Sequence, residues 1–147
     1  MSRLAFTWNL DAQACDLVVA APGGELDSAL ATAVLISLFT DARADPDDAM
    51  PYEGADRRGW WGDYAPVVEG DRIGSKLWTL ARGKRRPEDI RKARDFSQAA
   101  LDWMVADGVA GAVAVEAEAY GDSGIAIGVI ITKPDGSNVR FDHLWNP

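Results

Sequence analysis

The sequence predicts an α+β domain, an antiparallel sheet packed against two or three helices. The sheet is read as a C-terminal three-strand meander plus an N-terminal hairpin. Three observations support this. Short apolar runs with period-two alternation stand at both ends of the chain, separated by turn residues. Two stretches between them repeat their apolar residues at helical spacing. The resulting order, β-β-α-loop-α-α-β-β-β, segregates strands from helices, which is the α+β pattern. At 147 residues the chain suits one domain with its own core.

Leu4 to Trp8 reads as a strand, and Asp16 to Ala20 pairs with it through a connection over Asn9 to Ala14. Pro22-Gly23-Gly24 breaks the chain. Leu26 to Phe39 is a helix with Leu26, Ala29, Leu30, Ala33, Val34 and Leu38 on one face. Leu35, Ile36 and Phe39 cover much of the rest, so burial on more than one side is expected. Asp27 or Ser28 is expected to cap its start. Residues 41–73 hold three prolines, four glycines and Trp60-Trp61 with little periodicity. Adjacent tryptophans need large apolar contacts, so this long loop is read as ordered, packed on its own core or on a partner. Ser75 caps a short helix over Lys76 to Ala81, interrupted by Gly83. Pro87 opens the next helix, with Glu88 and Asp89 complementing its positive end. Ile90, Ala93, Ser97, Ala100, Leu101 and Met104 share a face, and Asp107-Gly108 ends it. The meander follows as Ala112 to Tyr120, Ile125 to Thr132 and Asn138 to Trp145, with the second strand apolar on both faces and therefore central.

Charge is unevenly spread. Residues 1–56 carry two bases and ten acids, net −8. Residues 57–94 carry eleven bases and five acids, net +6, and residues 95–147 return to −6. Either the basic middle pairs with acids of the same chain, or it meets an acidic patch on a neighbour. The formal total of −8 and the lack of a nucleic-acid-binding motif disfavour a nucleic-acid partner. No apolar run approaches the ~18–20 residues of a membrane span, and Met1-Ser2-Arg3-Leu4 lacks a signal-peptide pattern. A soluble cytoplasmic protein is the expectation.

Catalytic groups are sparse. His143 is the one histidine, and alternation puts Asp142 on the other strand face, so a nucleophile-His-Asp set has no orienting carboxylate there. It reads as a surface or packing residue. Cys15, the one cysteine, cannot make an internal disulfide and reads as a small buried or half-buried residue. Glu116 and Glu118 share a strand face and could serve a glycosidase, although alternating acids on an outer face are usually solvated. Asp41, Asp45, Asp47 and Asp48 lack the spacing of a calcium loop, and Gly59-Trp60-Trp61-Gly62 lacks the context of a phosphate loop. No metal or cofactor is expected.

Three segments together carry a resemblance: Thr32 to Asp41; Asp56-Arg57-Arg58-Gly59-Trp60-Trp61-Gly62-Asp63 followed by Ile73 to Trp78; and Trp103 to Ala110. In this order and spacing they resemble the baseplate proteins of Mu-like contractile-tailed phages, the family numbered forty-six in Mu. That family is similar to the small wedge subunit of T-even baseplates, labelled lysozyme-like. The resemblance implies a single wedge-like domain over 1–147 and a structural role in the baseplate wedge, supporting sheath assembly. Implied partners are larger wedge proteins, the tail sheath and the central hub or spike, with several copies around the baseplate axis and no nucleic acid or membrane. Implied location is the virion tail baseplate, and the host cytoplasm before assembly. The T-even type has a Glu-Pro-Arg triad after its long helix; here Arg86-Pro87-Glu88 is reversed and precedes the helix, so that role is not carried over. The alternative is a peptidoglycan hydrolase using acids such as Glu116.

The expected partner-binding residues are Arg57, Arg58, Trp60, Trp61, Asp63, Arg82, Lys84, Arg85 and Arg86. Tryptophan and arginine dominate interface energetics, which is why these positions stand out. Trp60 and Trp61 have two readings here, the chain's own core or an interface.

Overall fold

The computed structural model describes residues 4–19, 25–54, 56–81 and 86–146. Its strands are β1 (Leu4–Asn9), β2 (Ala14–Val19), β3 (Ala112–Tyr120), β4 (Gly124–Thr132) and β5 (Asn138–Trp145). Its helices are α1 (Glu25–Phe39), α2 (Pro87–Leu101) and α3 (Trp103–Ala106), with 3₁₀ turns at Trp61–Tyr64 and Leu77–Leu80. The α+β class and all five expected strands are observed. The breaks expected at Pro22-Gly23-Gly24 and Gly83 lie outside the described residues.

The meander is antiparallel, in the order β3-β4-β5, with the apolar β4 central as expected. Its inner row, Ile125, Ile127, Val129 and Ile131, meets Leu30, Val34 and Leu38 of α1, Ala93 and Leu101 of α2, and Met104 of α3 in one core. The outer edge of β3 is held by one side chain. Gln98 of α2 donates from Nε2 to the Val113 carbonyl at 3.1 Å and accepts the Val115 N–H at 3.2 Å. Two main-chain groups that would otherwise offer a template for another strand are thereby paired.

The N-terminal hairpin forms a separate two-stranded sheet and does not extend the meander. It touches the body through β1. Phe6 N–H donates to Thr32 Oγ1 at 3.2 Å, Trp8 stacks on Phe39 at 5.0 Å, and Asn146 Nδ2 donates to Gln13 Oε1 at 2.6 Å. Every residue of β2 is exposed, Cys15 included. The expectation of a buried or half-buried Cys15 is therefore corrected: β1 carries the hairpin's contact with α1, and β2 leaves its side chains exposed.

Other local expectations also change. Asp27 and Ser28 lie inside α1 and do not cap it; Asp27 pairs with Lys133 at 2.9 Å, and the Ser28 carbonyl accepts from Thr32. Leu26, expected on the buried face, is exposed in the first turn, as is Ile36 further along. The second long helix stops at Leu101, and Met104 reaches the core from α3 after a break at Asp102. Pro87 does occupy the first turn of α2. Asp89 accepts the Arg86 backbone N–H at 3.2 Å, half of a capping box.

Candidate partner-binding loop

The 41–75 segment is a loop closed at its neck. Asp41 and Ser75 form a parallel bridge, with Ala42 N–H donating to the Ser75 carbonyl at 3.0 Å and Ser75 N–H to the Thr40 carbonyl at 2.9 Å. The strands of the neck come so close that a side chain at 74 is excluded. Gly74 has φ +103°, and a Cβ there would lie 2.4 Å from the Thr40 oxygen. Ser75 Oγ donates to the Leu38 carbonyl at 2.5 Å and accepts from Leu77 N–H, tying the neck to the end of α1.

Most of the polar residues in the Asp56–Asp63 motif turn inward to build this loop. Arg57 donates to the carbonyls of Asp45 and Pro46. Arg58 pairs with Asp41 at 2.7 Å and lays its guanidinium 4.7 Å from the centre of the Trp78 ring. Its φ of +52° is left-handed, a conformation uncommon for a residue other than glycine. The same carboxylate raises the Arg58 pKa through its hydrogen bond. Asp63 accepts the Ile73 N–H at 3.2 Å, drawing the far limb of the loop inward.

The aromatic residues do the opposite. Trp60 folds over Gly62, where a Cβ would lie 2.1 Å from the indole ring, so any other residue there must displace the ring. Trp60 is nonetheless 40% exposed, and Trp61, its ring 5.3 Å away, is 79% exposed. The core reading is thus excluded for Trp61 and covers at most part of Trp60. Three further residues join them at the surface: Tyr64 at 78% exposed, Val67 fully exposed and Val68 largely so. Arg43 fixes Tyr64 by donating to its hydroxyl at 3.4 Å.

The charge pattern resolves locally. The acids of 41–48 are met by the first bases of the basic stretch. Lys76 lies between Asp45 and Asp48, 2.7 Å from the latter, and 5.9 Å from the Phe96 ring centre. Burial works against the Lys76 charge, but the two carboxylates outweigh it and raise its pKa. Arg58 and Lys76 therefore follow the same-chain reading, while Arg57 is turned inward onto backbone carbonyls instead of an acid. Arg86 belongs to another place, the start of α2, where it is exposed and pairs with Glu88 and Asp89. Arg82, Lys84 and Arg85 lie outside the described residues.

Two catalytic candidates are resolved by geometry. Glu116 and Asp142 both pair with Arg140, each at 2.9 Å, on the solvent face of the meander. His143 is on the inner face, 3% exposed, with its ring against Trp8 and Phe39 and no hydrogen-bond partner on Nδ1. It is a packing residue. Among the described residues, no group of three His, Cys, Asp or Glu is placed to hold a metal, and no helix is long and apolar enough to cross a membrane.

Sequence reasoning found the motif but not Tyr64, Val67 and Val68. Their signal is a run of apolar residues in a segment with no period, where neither helix nor strand can bury them. It also missed Trp78, whose ring seats Arg58.

Residues 30–138 match the family model described as phage protein GP46. The chain belongs to this family. Its members include "Baseplate protein gp46" of Escherichia phage Mu, 41% identical over 117 residues, 79% of this chain and 78% of that protein. "Mu-like prophage FluMu protein gp46" of Haemophilus influenzae is 40% identical over 148 aligned positions and covers 99% of both chains. The matched region runs from the buried stripe of α1 through the neck and the loop to β4 and the start of β5, so the family's common segment includes most of the core and the whole 41–75 loop.

Proposed function

We propose that this chain is a structural subunit of the baseplate of a contractile phage or prophage tail. The observation that carries the reading is the 41% identity to the Mu baseplate protein over most of both chains. Within the baseplate, the role we assign is that of a wedge subunit that joins larger wedge proteins, supports sheath assembly and stands near the hub, in several copies around the axis. The partner-binding surface proposed is the 57–63 loop with the basic run Arg82, Lys84, Arg85 and Arg86. Support comes from the two exposed tryptophans on a loop whose own polar groups are already paired. The role proposed is non-enzymatic, and nothing in the fold or the relatives favours the peptidoglycan-hydrolase alternative. Assembly would take place in the host cytoplasm before the chain enters the tail.

The test is to purify tails from the phage or prophage that encodes the chain and quantify the chain against the sheath protein. A fixed ratio, with the chain at the baseplate end by antibody labelling, is expected. Tails that carry sheath but none of this chain would refute the reading. Clearing of cell-wall material by the purified chain, lost in Glu116→Gln, would revive the hydrolase.

A further inference from the structure

We propose that Trp61, Tyr64, Val67 and Val68 form a preformed apolar knob that seats in a cleft rimmed by Lys or Arg on a larger neighbouring protein. The inference rests on the baseplate reading and adds the chemistry of the partner surface. The four residues fall within eight positions of chain and are all exposed. At roughly 150–250 Å² for a large aromatic side chain and less for valine, they offer on the order of 600 Å² to solvent. That is the top of what the largest apolar patch of a monomer reaches, and most of the ~800 Å² that one partner buries in a standard interface.

The knob is held in shape before any partner arrives. The neck bridge at Asp41 and Ser75, the Arg57 and Arg58 contacts, the Asp63 carboxylate on Ile73 N–H and the Arg43 bond to Tyr64 brace the segment that carries Trp61 and Tyr64, and Asp71 N–H donates to the Val68 carbonyl at 3.1 Å beyond it. A side chain already ordered loses less freedom on binding. The loop therefore presents Trp61 and Tyr64 outward from a braced segment, an arrangement that suits a concave acceptor.

Charge specifies the rim. Glu69 and Asp71 follow directly after Val67-Val68, both are exposed, and neither has an ion-pair partner among the described residues. With Asp63 they outnumber Arg72, leaving residues 59–73 net negative. A basic rim complements this collar, steers the encounter and disfavours acidic neighbours. The same charge opposes a second copy's loop as the occupant.

The experiment replaces the chain in its own phage or prophage genome and counts copies per tail. Trp61→Ala/Tyr64→Ala and, separately, Val67→Asp are expected to enter tails roughly ten-fold less or worse, as for loss of central interface anchors. Their melting temperatures should match the unaltered chain, because these side chains are exposed. Glu69→Lys/Asp71→Lys should also reduce entry, more strongly when tails assemble in extract at low salt. Absence of the unaltered chain from tails would overturn both the baseplate reading and the inference. Full entry of the Trp61/Tyr64 and Val67 variants beside a normally incorporated chain would overturn the inference alone. A fall in melting temperature that accounts for the loss in both would make the loop a folding element and also overturn it. Unimpaired entry of the lysine variant would exclude the basic rim. If the purified chain dimerises and Val67→Asp makes it monomeric, the occupant is a second copy and the proposal fails.

Discussion

His143 makes the stability of this protein depend on pH in a calculable way. The ring is buried against Trp8 and Phe39, and burial depresses its pKa from 6.5 to about 4, against a weaker opposing pull from Asp142. The folded state therefore holds a neutral imidazole in a range where the unfolded chain takes up a proton. Stability from this site is intact above the unfolded value of 6.5 and is lost as pH falls toward 4. Between pH 8 and pH 5 the loss comes to about 2 kcal/mol by linkage from those two pKa values.

The perturbation is His143→Phe, which keeps an aromatic ring against the stacked Trp8 and Phe39 and removes both the titrating group and the unpaired Nδ1. Urea unfolding at pH 8 and pH 5 is the assay. The unaltered chain should lose about 2 kcal/mol between the two conditions, whereas His143→Phe should lose only a small fraction of that. An NMR titration of the imidazole gives the folded pKa directly. Equal pH slopes in the two proteins, or a folded pKa near 6.5, would refute the burial argument and with it the docking of the hairpin over β5.

Three further outcomes are expected. Gly62→Ala should displace the Trp60 ring, shifting tryptophan emission and weakening the 3₁₀ turn at Trp61–Tyr64, since its Cβ would overlap the indole; unchanged emission would contradict the close packing. Arg58→Ala should cost about 1 kcal/mol in urea unfolding, because its ion pair with Asp41 is exposed and screened while the contact with Trp78 adds about 0.5–1 kcal/mol. Arg58→Lys should recover only part, for lack of a planar group to lie on the ring. Cys15 should react with a thiol reagent in the native protein at the rate of a free thiol; protection until unfolding would mean that β2 is covered.

Much of the architecture is local in origin and so legible along the chain. The meander is written in alternation and in two turn signals, and all three of its strands fall within a residue of expectation. Pro87 and the acids after it mark the start of α2 without reference to anything distant. What was not legible depends on elements far apart in sequence. Cys15 looks like a core residue until β2 is seen to face solvent. His143 reads as a surface or a packing residue, and Trp8, 135 positions away, decides for packing.

The 57–63 motif shows the same division. Its composition alone marked it as an interface candidate, because arginines and paired tryptophans in an aperiodic loop have no period by which to bury themselves. Only the tertiary structure assigned opposite jobs to its members. Arg57, Arg58 and Asp63 are bound inward to Pro46, Asp41 and Ile73, while Trp61 points out. Similarly, the −8, +6 and −6 blocks are facts of sequence, but which acid meets which base is not. Lys76 reaches Asp48 because the neck at Asp41 and Ser75 folds one block back on the other. Sequence determines the elements, the family and the residue types available; long-range packing decides which of those residues hold the loop and which it leaves exposed at the surface.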